Sequence, residues 1–473
     1  MMLETIKSSP NYRWYVLATV AIGTFMSTLD SSIVSVALPT ISRQLHSDLA
    51  TLQWVVSAYL LTITSLLPVF GRIADMFGRK RVFALGFLMF TLGSVLCGFA
   101  QNIWFLVGTR VLQAVGASML MSNAPAIITA IFPPKERGRA LGLTGTVVAL
   151  GSLTGPALGG VIIGLTSWRS IFWINIPIGI IGYIAVLMIL PNDVSTKGQE
   201  SFDFIGAFTF TFGMLGVLLG ITNGETWGWF SLPILLSLAL GMISLVFFVR
   251  TERKVPHPMI NLSLFRNRPF LIGNLSGGLS FVAMFANNML LPFYLQGVLN
   301  YEPHQLGLML MIFPFVMAFT APISGHASDK FGPMILTTSG LVITALGLFY
   351  FSTLSTTASF MQIIPGPILM GLGAGMFQSP NNSSVMSSVP PHKLSIAGGI
   401  NSLVRNLGMV IGIALSVSLF DAWGGVSLPQ PGQVEEFMFA YHSVMLVAMG
   451  IAILAAVISY NRKNYIKPNN LLP

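Results

Sequence analysis

Apolar residues run along this chain in blocks of about 20, the length a helix needs to cross a bilayer, with short polar segments between them. The pattern predicts fourteen membrane-spanning helices, at 13–36, 52–71, 81–100, 103–130, 140–164, 169–190, 203–222, 230–250, 269–292, 304–324, 334–353, 359–385, 395–419 and 437–460. The first block is too long for a signal-peptide core and lacks a small-residue cleavage site, so it is expected to remain as an anchor.

The pattern also repeats. GRIADMFGRKR, Gly71 to Arg81, returns in degraded form as GHASDKFGP, Gly325 to Pro333. Gly71, Asp75, Phe77 and Gly78 match Gly325, Asp329, Phe331 and Gly332 at an offset of about 254 residues. Gly116, Ser122, Pro133, Pro134, Gly142, Gly151 and Gly155 match Gly373, Ser379, Pro390, Pro391, Gly399, Gly408 and Gly412 at about 257. The first six spans therefore pair with the last six, as two six-helix bundles related by a pseudo-twofold axis along the membrane normal. The spans in 203–250 have no counterpart and form an inserted hairpin between polar, Pro-containing linkers, PNDVSTKGQES and RTERKVPHP. The expected division is 1–190, 191–268 and 269–473. Two copies of one half that rock about a shared central site describe a secondary transporter.

Composition agrees with burial in lipid. Hydrophobic residues are 53% of the 473 and charged residues 8%, against about 25% charged in soluble domains; mean hydropathy is +0.77. A net charge of +9 could suggest nucleic acid. However, about 20 of the 24 Lys and Arg lie in alternate loops or at the termini, the positive-inside pattern. Arg72, Arg79, Lys80 and Arg81, then Lys135, Arg137 and Arg139, then Arg250, Arg253, Lys254, Arg266 and Arg268, and the tail Arg462, Lys463 and Lys467 all fall on one side. Both termini are thus expected in the cytoplasm, with the bilayer and not nucleic acid as the partner. Cys97 is the single cysteine and reads as a buried thiol. No P-loop or HExxH pattern occurs, and no nucleophile sits with a base in a loop, so neither an enzyme nor a metal or cofactor site is expected. GLGAGM, from Gly371, lies inside an apolar helix with no strand before it and reads as close helix packing.

Several phrases carry a family resemblance. They are the loop GRIADMFGRKR, TLDSSIVSVALPTI (Thr28 to Ile41), LVGTRVLQAVGAS (Leu106 to Ser118), GSLTGPALGG (Gly151 to Gly160), WRSIFWINIPIG (Trp168 to Gly179) and LPFYLQ (Leu291 to Gln296). Together and in order they resemble the major facilitator superfamily, and within it the fourteen-helix drug:proton antiporter family of multidrug efflux type. The chain departs at Met76, where a basic residue is common, and at Ala114, where Gly is usual. The resemblance implies an all-α membrane protein of the major facilitator fold, plus the inserted hairpin. It also implies a monomer in the plasma membrane that uses the proton gradient to export small molecules, as in antibiotic resistance.

Asp30 lies within the first span, where insertion of a carboxylate costs about 2.5–3.5 kcal/mol. It is either a carrier that takes up and releases a proton, the role the resemblance implies, or a structural acid. Arg110, in the fourth span, has no compensating charge on its own helix. Look-alike antiporters assign this Arg to proton transfer, by biasing a nearby acid; the alternative is a helix-to-helix clamp. Asp75 and Arg79, with Gly71 and Gly78 for close approach and a tight turn, are expected to form a conformational latch. Gly151, Gly155, Gly159 and Gly160 place small residues on one face, and Pro156 bends the helix; the resemblance makes this the antiporter motif. Candidate cavity residues are Asn123, Asn274, Asn287, Asn288, Gln378, Asn381, Asn382, Asn401 and Arg405, although intramembrane amides also join helices and Arg405 could snorkel. Asp30 is the one acid expected in the cavity, facing Arg110 and Arg405, so neutral, zwitterionic or anionic amphiphiles are expected over dications. A drug exporter, a dedicated carrier of a metabolite such as a vitamin or lipid-like molecule, and a non-transporting sensor compete; the intact Asp30, Arg110 and Gly-Pro series count against the sensor.

Overall fold

The computed structural model describes residues 9, 11–133, 136–191, 204–252, 262–390, 394–426, 428–430 and 432–462. Pro134, Lys135, Arg253, Lys254, Pro391, Lys463 and Lys467, with most of both linkers, lie outside the described residues. All fourteen predicted spans are helices long and apolar enough to cross a membrane, and among the described residues there is no strand. In chain order their main helices are α1 (Tyr12–Leu45), α2 (Leu49–Phe77), α3 (Arg79–Gly98), α4 (Ile103–Ile131), α5 (Arg137–Leu165), α6 (Asn175–Ile189, extended by a short turn at Ser170–Trp173), α7 (Phe204–Trp227) and α8 (Leu232–Glu252). Then follow α9 (Arg268–Phe293), α10 (Pro303–Phe331), α11 (Pro333–Phe351), α12 (Pro365–Ser387), α13 (Leu394–Ala422) and α14 (Val434–Tyr460).

Local chemistry sets several ends. Asp48 Oδ1 accepts from Thr51 N at 3.0 Å and Asn102 Oδ1 from Phe105 N at 2.8 Å, capping α2 and α4. The repeated loop glycines do the same job twice: α2 turns into α3 at Gly78, with φ 102°, and α10 into α11 at Gly332, with φ 78°. A side chain at either position would be strained. Several helix ends run past the apolar pattern: the spans expected to end at 71 and 324 continue to Phe77 and Phe331, and the largest difference is in α1. The first span was expected to end at residue 36, but α1 continues to Leu45. Its polar end is held by protein: Ser42 Oγ donates to Ser47 O at 2.7 Å, and Gln44 accepts from Trp168 Nε1 at 2.9 Å.

The two halves pack the same helix pairs. In the first, α1 packs on α5 and α4 on both α2 and α3; in the second, α9 packs on α13 and α12 on both α10 and α11. The halves meet chiefly through α5 against α10 and α2 against α13, two pairs that the repeat exchanges. α7 lies against α2 and α13, and α8 packs on α7. The halves close at the end away from the Gly71–Arg81 loop. There Arg43 Nη2 donates to Gln296 O at 3.3 Å, and Gly160 and Gly307 bring α5 and α10 together. A Cβ on Gly160 would lie 2.6 Å from Pro303 O and 3.1 Å from Gly307 Cα. Towards the loop end, a Cβ on Gly145 or Gly399 would meet nothing within 4 Å.

Candidate functional site

Close helix packing builds a polar centre inside the first half. The position of a Cβ on Gly93 lies 2.6 Å from the backbone N of Gln113, so α3 and α4 approach closely and Ser94 comes within reach of Gln113. Arg110 and Gln113, three residues apart, share one face of α4 and turn it towards α1. Asp30 receives three hydrogen bonds. Arg110 Nη1 donates to Oδ2 at 2.5 Å, while Gln113 Nε2 and Asn175 Nδ2 donate to Oδ1 at 2.8 and 2.9 Å. Gln113 also donates to Ser94 Oγ at 2.7 Å and accepts from Arg110. The guanidinium is completed by Nε donating to Val55 O at 3.2 Å and by the Tyr59 ring, 4.0 Å from Cζ. Asp30 is 0% and Arg110 1% exposed. A buried ion pair holds its place only with such additional hydrogen bonds, and this one has them.

A cavity of about 320 Å³ lies between the halves. The sequence reading placed Asp30 and Arg110 on its wall; the structure corrects this. Neither lines it, and Tyr59 does, with its ring standing between the cavity and the ion pair. Packing moved them: three side-chain donors from α4 and α6 fold the carboxylate inwards, away from the interface. The cavity walls carry Met284, Met309, Met370 and Phe313, the hydroxyls of Ser27 and Ser31, and four groups expected there, Asn287, Asn288, Gln378 and Arg405. A recess of about 40 Å³ adjoins, lined by Gln378, Asn381, Asn382, Asn401 and Arg405. Asn123 and Asn274 do not line either space. Both are buried and donate to their own helices, Asn123 to Met119 O at 2.7 Å and Asn274 to Phe270 O at 2.9 Å. Among the described residues no group of three or more His, Cys, Asp or Glu could hold a metal.

The loop residues come together within the first half. Arg79 Nη2 lies 2.9 Å from Asp75 Oδ1, and Arg79 Nη1 donates to Ala126 O at 3.1 Å, tying α2, α3 and α4. Lys80 Nζ adds a bond to Leu187 O on α6 at 2.9 Å. The glycine series faces two ways. Gly151, Gly155 and Gly159 fit against α1 at Thr28, Ser32 and Ile33, the turns that flank Asp30, while Gly160 faces α10. Ser32 Oγ donates to Gly151 O at 3.1 Å across that contact. Pro156 lines the cavity.

Gln113, Asn175, Ser94 and Tyr59 were missing from the expected site. Gln113 was legible in principle, one turn from Arg110; Asn175 and Ser94 are distant in sequence and carry no charge to mark them.

The family model described as Major Facilitator Superfamily matches residues 20–413 and again 275–469. Among curated proteins, the chain is 38% identical over 412 residues to the riboflavin transporter RibZ of Clostridioides difficile (strain 630), covering 86% of this chain and 88% of that one. It is 32% identical over 413 residues to the multidrug resistance protein Stp of Mycobacterium tuberculosis (strain CDC 1551 / Oshkosh), covering 87% and 76%. The fold matches the crystal structure of the POT family transporter PepTSo with a TM-score of 0.69 at 15% identity, over 97% of this chain and 99% of that one. With the repeated halves, the central cavity and these matches in agreement, the chain belongs to the major facilitator superfamily of membrane transporters.

Proposed function

We propose that the protein exports amphipathic organic compounds, such as drugs, from the cell by alternating access, driven by proton entry. In this reading it acts as a monomer in the plasma membrane with both termini in the cytoplasm. The observation that carries it is the placement of one sealed acid–guanidinium pair a single side chain, Tyr59, away from a cavity walled mainly by apolar groups. Flexible Met side chains suit varied apolar bodies, and the multidrug resistance relative supports this substrate class.

The coupling follows from electrostatics. A proton on Asp30 removes the counter-charge of Arg110, and a buried guanidinium without its partner must shift to find another. Asp30 sits on α1, which Gly151, Gly155 and Gly159 bind closely to α5. The opposite side of α5 carries the Gly160 contact with Gly307. A movement of α1 therefore bears on the contact that closes the two halves. The test is dye export in inverted vesicles. The imposed proton gradient drives accumulation in the wild type, an uncoupler abolishes it, and Asp30→Asn abolishes it at unchanged membrane level. Undiminished accumulation in Asp30→Asn removes the coupling role.

A second reading, a dedicated carrier of a metabolite of the vitamin type, is favoured by the riboflavin transporter relative. Riboflavin transport that structurally unrelated dyes fail to inhibit would select it over broad export.

A further inference from the structure

Among the described residues, the second half buries positive charge without a carboxylate to meet it. Arg405 on α13 lines both the cavity and the recess. Among the described residues its buried Nε has no hydrogen-bond partner, and no Asp, Glu or His lines either space. A second guanidinium stands behind the recess. Arg462, 1% exposed, donates through Nη2 to Asn381 Oδ1 at 2.7 Å, while its Nε and Nη1 are buried and have no partner among the described residues. Gly273 makes room for it: a Cβ there would lie 2.9 Å from Nη2. Asp30, the one buried acid among the described residues of the other half, is closed into its own pair behind Tyr59.

A guanidinium held in a low-dielectric site without a counter-charge is unfavourable, and an incoming anion relieves it. Its planar fork matches the two oxygens of a carboxylate or phosphate. The amides of Gln378, Asn382 and Asn401 surround the recess and supply further donors. Asn401 Nδ2 donates to Asn382 Oδ1 at 2.6 Å, which leaves the Asn382 NH2 as its remaining group. Beyond the recess the wall is Phe281, Met284, Phe313 and Met370, suited to an apolar body.

We propose that Arg405 and its neighbouring amides form an oxyanion subsite, so that the preferred substrate is an amphiphile bearing one carboxylate or phosphate group, with its apolar part in the main cavity. This rests on the transport reading for the site's purpose but not for its test.

The test is equilibrium binding of two matched fluorophores, pyrenebutyrate and pyrenebutanol, to the purified full chain in non-ionic detergent. A charge-assisted bond predicts that the acid binds about tenfold or more tightly than the alcohol. Arg405→Gln equalises the two while leaving the alcohol unchanged, and Arg405→Lys keeps an intermediate preference. Equal binding by the wild type, binding of neither probe, or a preference that survives in Arg405→Gln overturns the proposal. Loss of the preference on adding phosphatidylglycerol at the probe's concentration would uphold the oxyanion subsite and overturn its assignment to a transported substrate, giving it to a lipid headgroup. Because binding needs no gradient, a chain that prefers the acid yet extrudes no dye would uphold the subsite and remove only the export reading.

Discussion

The two halves pack the same pairs of helices and treat buried charge in opposite ways. The first neutralises Arg110 with Asp30, gives the carboxylate three donors and closes the group behind Tyr59. At the repeat offset of about 257 residues, Pro367 and Met370 stand where the first half has Arg110 and Gln113. Both of those line the cavity. The relation reverses at Arg405, whose repeat position holds Val148; both face the cavity, but only one is charged. Duplication thus supplied one scaffold twice. On it, different residues at paired positions give one half an internal charge pair and the other a guanidinium open to the cavity.

That contrast predicts opposite stability effects for two charge removals. Asp30→Ala strands Arg110 in the interior and should cost about 3–5 kcal/mol. Arg405→Gln removes a guanidinium that makes no ion pair among the described residues, so it should be neutral or mildly stabilising. Thermal unfolding of the purified proteins in one detergent compares them directly. Equal destabilisation by the two would mean that Arg405 has a structural partner, and the contrast between the halves would fail.

The fold was legible because its signals are additive. Fourteen apolar blocks, a repeated Gly-Asp-Phe-Gly loop and an unmatched hairpin each point to the same arrangement. Helix ends ran past the apolar blocks where polar residues continue the helix, as in α2, α10 and α1, where Ser42 and Gln44 found protein partners. The site was legible only in part. Asp30 and Arg110 are conspicuous because charge in a membrane is costly, but sequence gives no direction in which a side chain turns. Their mutual pairing, through helices 80 residues apart in the chain, took them off the cavity wall. Amides behave likewise: Asn287 and Asn288 face the cavity while Asn274 bonds to its own helix, and nothing in their spacing separates the cases. Arg462 read as a tail charge that sets orientation, yet it is buried against Asn381.

The glycines sharpen the comparison at a smaller scale. Gly155 and its repeat partner Gly412 both sit where α5 meets α1 and α13 meets α9, but what a Cβ would meet differs. At Gly155 it would fall on the Ser32 hydroxyl, which can rotate, but also 2.9 Å from Ser32 Cβ and 3.0 Å from Ile33 N; at Gly412 it would lie 2.5 Å from the Val282 carbonyl oxygen, which is backbone. Gly412→Ala should therefore cost about 1–3 kcal/mol through overpacking. Gly155→Ala should cost less than Gly412→Ala, because its shortest clash is with a hydroxyl that can turn aside at the loss of a hydrogen bond, leaving a smaller shift of α1 against α5. Chemical denaturation of both variants ranks them. The reverse order would show that α1 and α5 are the more rigid contact, and that the first half does not yield there.

The smallest effect is expected where the same two residue types meet in the open. Asp75 and Arg79 form an i,i+4 pair across the α2–α3 loop, with the Asp75 side chain 49% exposed. Water screens such a pair, and exposed bridges contribute at most about 1 kcal/mol. Arg79 also keeps its bond to Ala126 O when the carboxylate is lost. Asp75→Asn should accordingly shift the unfolding temperature far less than Asp30→Ala, while a latch role predicts slower transport at an unchanged amount of protein in the membrane. Stability and initial rates measured on the same preparations separate the two properties. A variant with wild-type rates would leave the pair as a brace for the loop, and a fall in stability as large as that of Asp30→Ala would mean that Asp75 bears on more than Arg79. Wild-type rates would place the functional charge of the first half wholly inside the Asp30–Arg110 pair, whereas slower rates at unchanged stability would extend it to the loop, and so decide how much of that half takes part in switching.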